Sequence, residues 1–283
     1  MPSFLFICLL QVYTVDRAMD LLQALQDEAP LMMLFLKNIA RIQVYHWGEG
    51  QQEPTLTYCC ATANGSAALM HERSLFARVS ALALEAATAA SGTPALESPS
   101  ISEAARGHSS VFPLHLTITD HINHISRDRH FLISQVAAGG AAAALATKLS
   151  KDFSVPLVPW GAVAAELTVY DQDEPHGNVP GQAFCFLPLP CQTGLPVHIN
   201  GFFELSSNRR DIWYGSDLTG AGAQRAEWNL VLLEQAIAPA YATLIEESTM
   251  LIGPGMAFDR WGECLWGAHR IFALCTHHTG ILN

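Results

Sequence analysis

Val197-His198-Ile199-Asn200-Gly201-Phe202-Phe203-Glu204-Leu205-Ser206-Ser207-Asn208-Arg209-Arg210-Asp211-Ile212-Trp213-Tyr214 is the stretch on which the reading of this chain turns. Its first half puts Val197, Ile199, Phe203 and Leu205 on one face of an extended backbone, the period of two that a half-buried strand requires. Every residue from Ser206 to Asp211 is polar, and the apolar Ile212-Trp213-Tyr214 closes the segment. A strand that delivers two guanidinium groups and small hydroxyls on a loop suits an oxyanion or phosphate. Arginine forks match phosphate oxygens two at a time, and Ser and Asn add short hydrogen bonds. The same spacing also lets Arg209 and Arg210 pair with Glu204 and Asp211 and merely pin the loop. The glycine-rich residues 215–222 come next and open a helix, so their N–H groups suit an anion or a plain flexible connector. They carry no Walker lysine and no GxGxxG.

Working outward, residues 225–245 show Leu230, Leu233, Ile237, Tyr241 and Leu244 at helical steps, with Pro239 expected to kink or split the helix. Upstream, residues 160–170 and 183–187 read as strands separated by turn chemistry over 171–181. Residues 141–149 read as a short helix, and Leu114, Leu116 and Ile118 alternate as a strand. Residues 72–90 are helical, and residues 91–110 turn to Ser, Ala, Gly, Pro and Glu, a flexible insertion. Near the start, Ala18, Leu21, Leu22 and Leu25 form a helical stripe capped by Asp16 and stopped by Pro30. The short apolar run 31–36 then suits a buried strand and residues 41–44 a half-exposed one. The tail beyond Gly253 has no clean period. Helices interleaved with strands give an α+β class, with helices against mixed sheets.

Composition narrows the function. The 283 residues are 50% apolar and 14% charged, with a net charge of −11 and 15 Lys and Arg. No broad electropositive face is available to nucleic acid or an anionic membrane. So little surface charge fits either a piece that leans on neighbours or a tightly packed α/β enzyme. Seven cysteines, an odd number without a CxxC, read as reduced thiols and point to the cytoplasm; no zinc-ligand spacing appears. Residues 1–10 are apolar but lack a basic flank and a cleavage signature, and they are too short to span a bilayer, so no membrane role is expected. The sequon Asn64-Gly65-Ser66 matters only in a secreted chain.

His121, His124 and His130 fall within residues 120–130, which read as a solvated polar loop; the HxxH spacing lacks an HExxH glutamate and assigns no metal. His277-His278 is tail composition. No nucleophile elbow and no recognisable carboxylate pair support a hydrolytic mechanism.

At the arginine loop the residues add up to a longer pattern. Phe184-Cys185-Phe186-Leu187-Pro188-Leu189-Pro190, Thr193-Gly194-Leu195-Pro196 and the opening stretch through Gly215 continue into Trp228-Asn229, Leu232-Leu233-Glu234 and Ala238-Pro239-Ala240-Tyr241. Pro159-Trp160-Gly161-Ala162-Val163-Ala164-Ala165 and Leu34-Phe35-Leu36-Lys37-Asn38-Ile39 precede them. Together they resemble the repeat region of the sacsin family, most closely over residues 160–241 and more weakly back to residue 15. Sacsin repeats are similar to a heat-shock chaperone with an ATPase domain of the GHKL class followed by a middle domain. The resemblance implies that residues 1–47 are the terminal helix and strands of an incomplete GHKL-like domain. Residues 48–245 would be a middle-domain-like α/β sandwich interrupted near 91–110, and residues 246–283 an unassigned tail. It also implies that Arg209 reaches a nucleotide's terminal phosphate, with Arg210 second and Asn208 and Ser207 beside them.

The GHKL core further requires a helix with Glu-x-x-x-Asn and an Asp-x-Gly-x-Gly, and neither is read here. The chain is therefore expected to be a fragment without the nucleotide-binding core, not an enzyme and without a cofactor of its own. ATP and Mg²⁺ would enter only with a supplied GHKL domain. The expected function is a non-catalytic, cytoplasmic chaperone or co-chaperone module that binds heat-shock chaperones or client proteins. The alternative is the phosphate-sensing half of a split ATPase, partnered by the missing GHKL domain.

Overall fold

A computed structural model describes residues 14–63, 70–89, 108–167, 181–215 and 218–252. The elements are helix α1 (Val15–Phe35), strands β1 (Arg41–His46) and β2 (Thr55–Thr62), helix α2 (Ser74–Ala89), strands β3 (His108–Asp120) and β4 (Ile125–Ala137) and helix α3 (Gly140–Phe153). Strands β5 (Trp160–Glu166), β6 (Gln182–Cys185), β7 (Leu187–Gln192) and β8 (His198–Gly201) follow, then helix α4 (Ala221–Leu232), a π-helical turn (Leu233–Ile237) and helix α5 (Ala238–Ile252). The strands form one eight-stranded sheet in the order β1-β2-β3-β4-β5-β8-β6-β7. It is antiparallel apart from the parallel β6–β8 pair, so the α+β class holds with a single mixed sheet. Because β1 pairs with β2, Arg41 opposite Ala61, the sheet is continuous across residues 47 and 48.

The central strands carry helices on both faces. In β5 the buried Trp160, Ala162 and Ala164 face Met33, Leu34 and Phe76 of α1 and α2. The alternate residues Val163 and Ala165 face Leu149, Trp228, Leu232, Ile237 and Tyr241 on the other side. A strand buried on both faces reads as a continuous apolar run, and β5 does so. Gly161 is where the backbone of β5 passes closest to the π-helical turn: a Cβ there would stand 2.5 Å from the Ile237 Cδ1. A side chain there would require the Ile237 tip to move.

Several elements differ from expectation, each for a tertiary reason. Pro30 does not stop α1, and residues 31–35 continue the helix rather than forming a strand. Losing one N–H to proline costs about 3 kcal/mol in a helix interior. Burying Met33, Leu34 and Phe35, all at most 5% exposed, at about 2 kcal/mol each offsets that. The N-cap is Thr14, whose hydroxyl accepts from the Arg17 N–H at 3.4 Å, with Asp16 in the first turn. The far end of α1 is held by Arg73, only 8% exposed, which donates to the carbonyls of Leu36, Ile39 and Met33. Burial lowers its pKa to about 10.

Strand β2, which no periodicity flagged, pairs on both edges. Residues 120–130 are not one loop: Asp120 ends β3, a tight turn spans 121–124, and β4 begins at Ile125. The expected strand over 183–187 is two strands folded back at Phe186, whose φ is +63°. The strand expected over 197–205 ends at Gly201, leaving a lone bridge between Leu205 and Ile212. The last helical segment starts at Ala221 and runs to Ile252, so residues 246–252 belong to α5. A π-helical turn, Leu233–Ile237, ends directly before Pro239 and divides the segment into α4 and α5, where a kink or split was expected. Residues 108–110 of the expected insertion are already β3. The remainder of that insertion, the sequon, residues 1–10 and the tail after Gly253 lie outside the described residues. No described helix is long and apolar enough to cross a membrane.

Candidate functional site

The arginine loop hangs from the end of β8 and returns to α4. Its inner scaffold is built by Ser206 and Asn208. The Ser206 N–H donates to the Asp211 carbonyl at 2.8 Å, and the Arg209 N–H to the Ser206 carbonyl at 2.8 Å. The Asn208 Oδ1 accepts from the Ser206 hydroxyl at 2.5 Å and from the Arg210 N–H at 3.0 Å. The Ser206 Oγ in turn accepts from the Asp211 N–H at 3.1 Å. Arg209 sits at φ +56°, a left-handed conformation that costs a side-chain-bearing residue about 1–2 kcal/mol.

Below this tip, one residue far along the chain clamps both stems. Asn229 in α4 is fully buried; its Oδ1 accepts from the Glu204 N–H at 2.8 Å, and its Nδ2 donates to the carbonyls of Glu204 at 2.9 Å and Trp213 at 2.8 Å. Trp213 Nε1 donates to the Leu205 carbonyl at 3.0 Å, and Trp228 Nε1 to that of Phe202 at 2.9 Å. Arg225 stands 3.4 Å from the Glu204 carboxylate, an ion pair without hydrogen-bond alignment, with its guanidinium over the rings of Phe153 and Trp213.

This decides between the two readings of Glu204: it pairs with Arg225, and among the described residues neither Arg209 nor Arg210 has an ion-pair partner. Ser207, Asn208, Arg209 and Arg210 are all exposed at the tip, so the four expected residues do come together. They divide in role. Asn208 spends its Oδ1 on the loop itself and keeps only its amide NH₂ for a ligand, whereas Ser207, Arg209 and Arg210 face solvent. Glu204 and Asn208 have the Glu-x-x-x-Asn spacing but stand on a loop, with the carboxylate committed to Arg225.

Two neighbours of the loop, Cys185 and Cys191, and one residue nearer α1, Lys37, were not singled out from sequence. Burial pushes the Cys185 thiol up, and the charge of Arg209 is the foremost of those opposing that. The Cys191 Sγ lies 3.2 Å from the Arg210 carbonyl. Lys37, just past α1, rests its ammonium 3.5 Å from the ring centre of Phe76 and 4.1 Å from that of Phe186, and burial lowers its pKa. No spacing in the sequence links residue 37 to residues 76 and 186; only the sheet brings them together. Asn229 was visible in the Trp228-Asn229 pair but carried no role there, because a polar residue on an apolar helix signals a buried partner without naming it.

Among the described residues no group of three His, Cys, Asp or Glu side chains is gathered as a metal centre. No protein-family model matches the chain, and no solved structure matches it. Human sacsin is 43% identical to it over 105 residues, which is 37% of this chain and 2% of that protein's length. The chain thus spans a very small part of that relative. Over those 105 residues, the chain is a sacsin-related region.

Proposed function

We propose that the chain is a non-catalytic, chaperone-type binding module of a sacsin-like protein, working in cytoplasmic protein quality control, and that its arginine loop is the surface by which it meets a phosphate. The observation that supports this most is a braced loop whose two guanidinium groups have no carboxylate partner among the described residues. Cations held at a fixed tip match the oxygens of a terminal phosphate, and the cost of ordering the loop is already met in the folded chain. Arg209 is the leading contact, Arg210 the second, and Ser207 a short hydrogen-bond donor beside them. The partner is a GHKL nucleotide-binding domain, and residues 48–245, with β2 to β8, play the part of a middle domain set against it. ATP and Mg²⁺ arrive with that domain; the loop contributes charge at the phosphate and no proton transfer. Heat-shock chaperones and client proteins are the further partners of the module.

The test mixes the purified chain with a separately made GHKL domain of a sacsin-like protein. The expected result is a gain in ATP hydrolysis that Arg209→Ala abolishes and Arg210→Ala reduces, with the fold intact by circular dichroism. Absence of any gain, with no chain–domain association by calorimetry at millimolar Mg²⁺-ATP, would sink the phosphate role. Prevention of client aggregation would then be the remaining activity to measure. A chain that neither stimulates the domain nor protects a thermally unfolded client overturns the proposal altogether.

A further inference from the structure

Away from the arginine loop, a cavity of about 20 Å³ lies between the end of α1, the start of α2 and strands β3 to β5. Its polar lining is Lys37, Arg73, Gln135 and Trp160, and the rest of its wall is apolar side chains. Arg73 and Trp160 are 8% and 5% exposed. The Arg73 Nε and the Trp160 Nε1 are both shut off from solvent, and neither meets an acceptor among the described residues. The other Arg73 nitrogens donate to the carbonyls of Leu36, Ile39 and Met33. Gln135 Nε2 donates to the Glu72 carbonyl at 2.7 Å and to the Ser110 hydroxyl at 3.2 Å. Two donors left over on the residues of one small cavity call for an acceptor there, because a buried donor without one bears its full desolvation penalty. The charge points the same way. No Asp or Glu lines the cavity, and burial lowers the Arg73 pKa with no carboxylate opposing it.

We propose that this cavity binds a single halide ion of the chloride class, which accepts from the Arg73 Nε–H and the Trp160 Nε1–H and ties α1 and α2 to β5. The size admits one guest on the scale of a water molecule and leaves no room for a phosphate or a carboxylate. A halide only accepts hydrogen bonds, whereas a water molecule would also bring two protons of its own against a mostly apolar wall. The ion further supplies the negative charge that the buried guanidinium lacks from any carboxylate among the described residues. Lys37 is the only lining residue that is not buried, so it marks the way in. Its ammonium stays over the rings of Phe76 and Phe186, and a cation at the entrance favours anions over other small guests. This site is independent of the phosphate proposal, sharing no residue with the arginine loop.

The test measures urea unfolding of the full chain in sodium chloride, sodium bromide and sodium isethionate mixtures held at one ionic strength, so that screening is constant and only the anion changes. The midpoint should rise with chloride and with bromide along a saturating curve, as for one ligand bound to the folded state, and isethionate, too large to enter, should give no rise. Trp160→Phe keeps a ring against Phe76 but removes the N–H. It should weaken the apparent chloride affinity by about tenfold or more, the worth of a hydrogen bond to a charged group. Should that variant fold poorly, the assigned indole N–H resonance of Trp160 in the wild-type chain should shift with chloride, saturate, and stay still in isethionate. The same midpoint in all three salts means that the guest is water alone and overturns the site. So does a chloride dependence that Trp160→Phe leaves unchanged, or a Trp160 indole signal that ignores chloride.

Discussion

The arginine loop and the β3–β4 turn look alike on paper and are built in opposite ways. Each is a short polar run between two extended segments, and each holds one side-chain-bearing residue in the left-handed region, Arg209 and His124, both at φ +56°. The turn closes on itself. Asp120 Oδ1 accepts from the N–H groups of Ile122 at 2.9 Å and Asn123 at 3.0 Å, and Oδ2 accepts from the Asn123 side chain at 2.7 Å. Its side-chain hydrogen bonds all stay within three residues, and its backbone is tied to the sheet through the His121 N–H, which donates to the Thr57 carbonyl at 2.9 Å. The arginine loop has a comparable local brace at Ser206 and Asn208, but its stems are held by Asn229, which lies 25 residues from Glu204 and 16 from Trp213. A self-closed turn only reverses the chain. A loop anchored from the core holds its tip in one place, which a surface that must meet a ligand requires.

The comparison breaks most visibly at Asn229. Asn229→Leu fills the space but leaves the Glu204 N–H and the Trp213 carbonyl without the partner Asn229 supplies, and the Glu204 carbonyl with the Trp213 N–H at 3.2 Å alone. The expected loss is roughly 3–5 kcal/mol of unfolding free energy, read by urea denaturation, together with loss of any ATPase stimulation. A cost under about 1 kcal/mol would mean that the clamp is not what holds the loop. Arg209→Gly should act in the reverse sense on stability. It relieves the left-handed strain while adding freedom to the unfolded chain, for a net gain of about 0.5 kcal/mol, yet it removes the leading phosphate contact. Stability rising while stimulation of a GHKL domain falls would mark Arg209 as kept for function; no change in either quantity removes the reason for placing an arginine there.

The smallest effect belongs to the turn. Hydrogen bonds from Asn123 hold the Asp120 carboxyl below its ordinary value. Its contribution to stability is therefore present above the unfolded carboxylate value near 4 and is lost as pH falls through the lower folded value. Asp120→Asn should flatten that acid limb and leave the neutral-pH arginine loop untouched. A carboxyl NMR titration of Asp120 at or above the model-peptide value would contradict the turn's geometry.

Legibility followed the same division. Residues 41–44, 72–90, 114–119 and 141–149 were readable because their signal is local: a repeat of two or of 3.6, bounded by turn residues. Strand β4 was not, since Ser126, Arg127, Asp128 and Arg129 mark its outer half as loop, and only pairing with β3 along thirteen residues makes it a strand. Pro30 misled for a related reason: proline's cost is local and fixed, while the burial that outweighs it depends on what lies across the sheet. At the site, the grouping of Ser207, Asn208, Arg209 and Arg210 was visible as composition. The split between the brace Asn208 and the outward arginines was not, and neither was the pairing of Glu204 with Arg225.

By itself, the order of residues determined the α+β class, the place and content of the arginine loop and the relation to sacsin, because these rest on patterns within a short window or on identity along the chain. The tertiary structure decided everything that joins distant windows: one continuous sheet, the clamp of Asn229 on both loop stems, the cradle of Phe76 and Phe186 around Lys37, and the facing of His115 with His130. The physical reason is that hydrogen-bond partners and burial are properties of space, and separations of fifteen residues or more leave no periodic trace in the sequence.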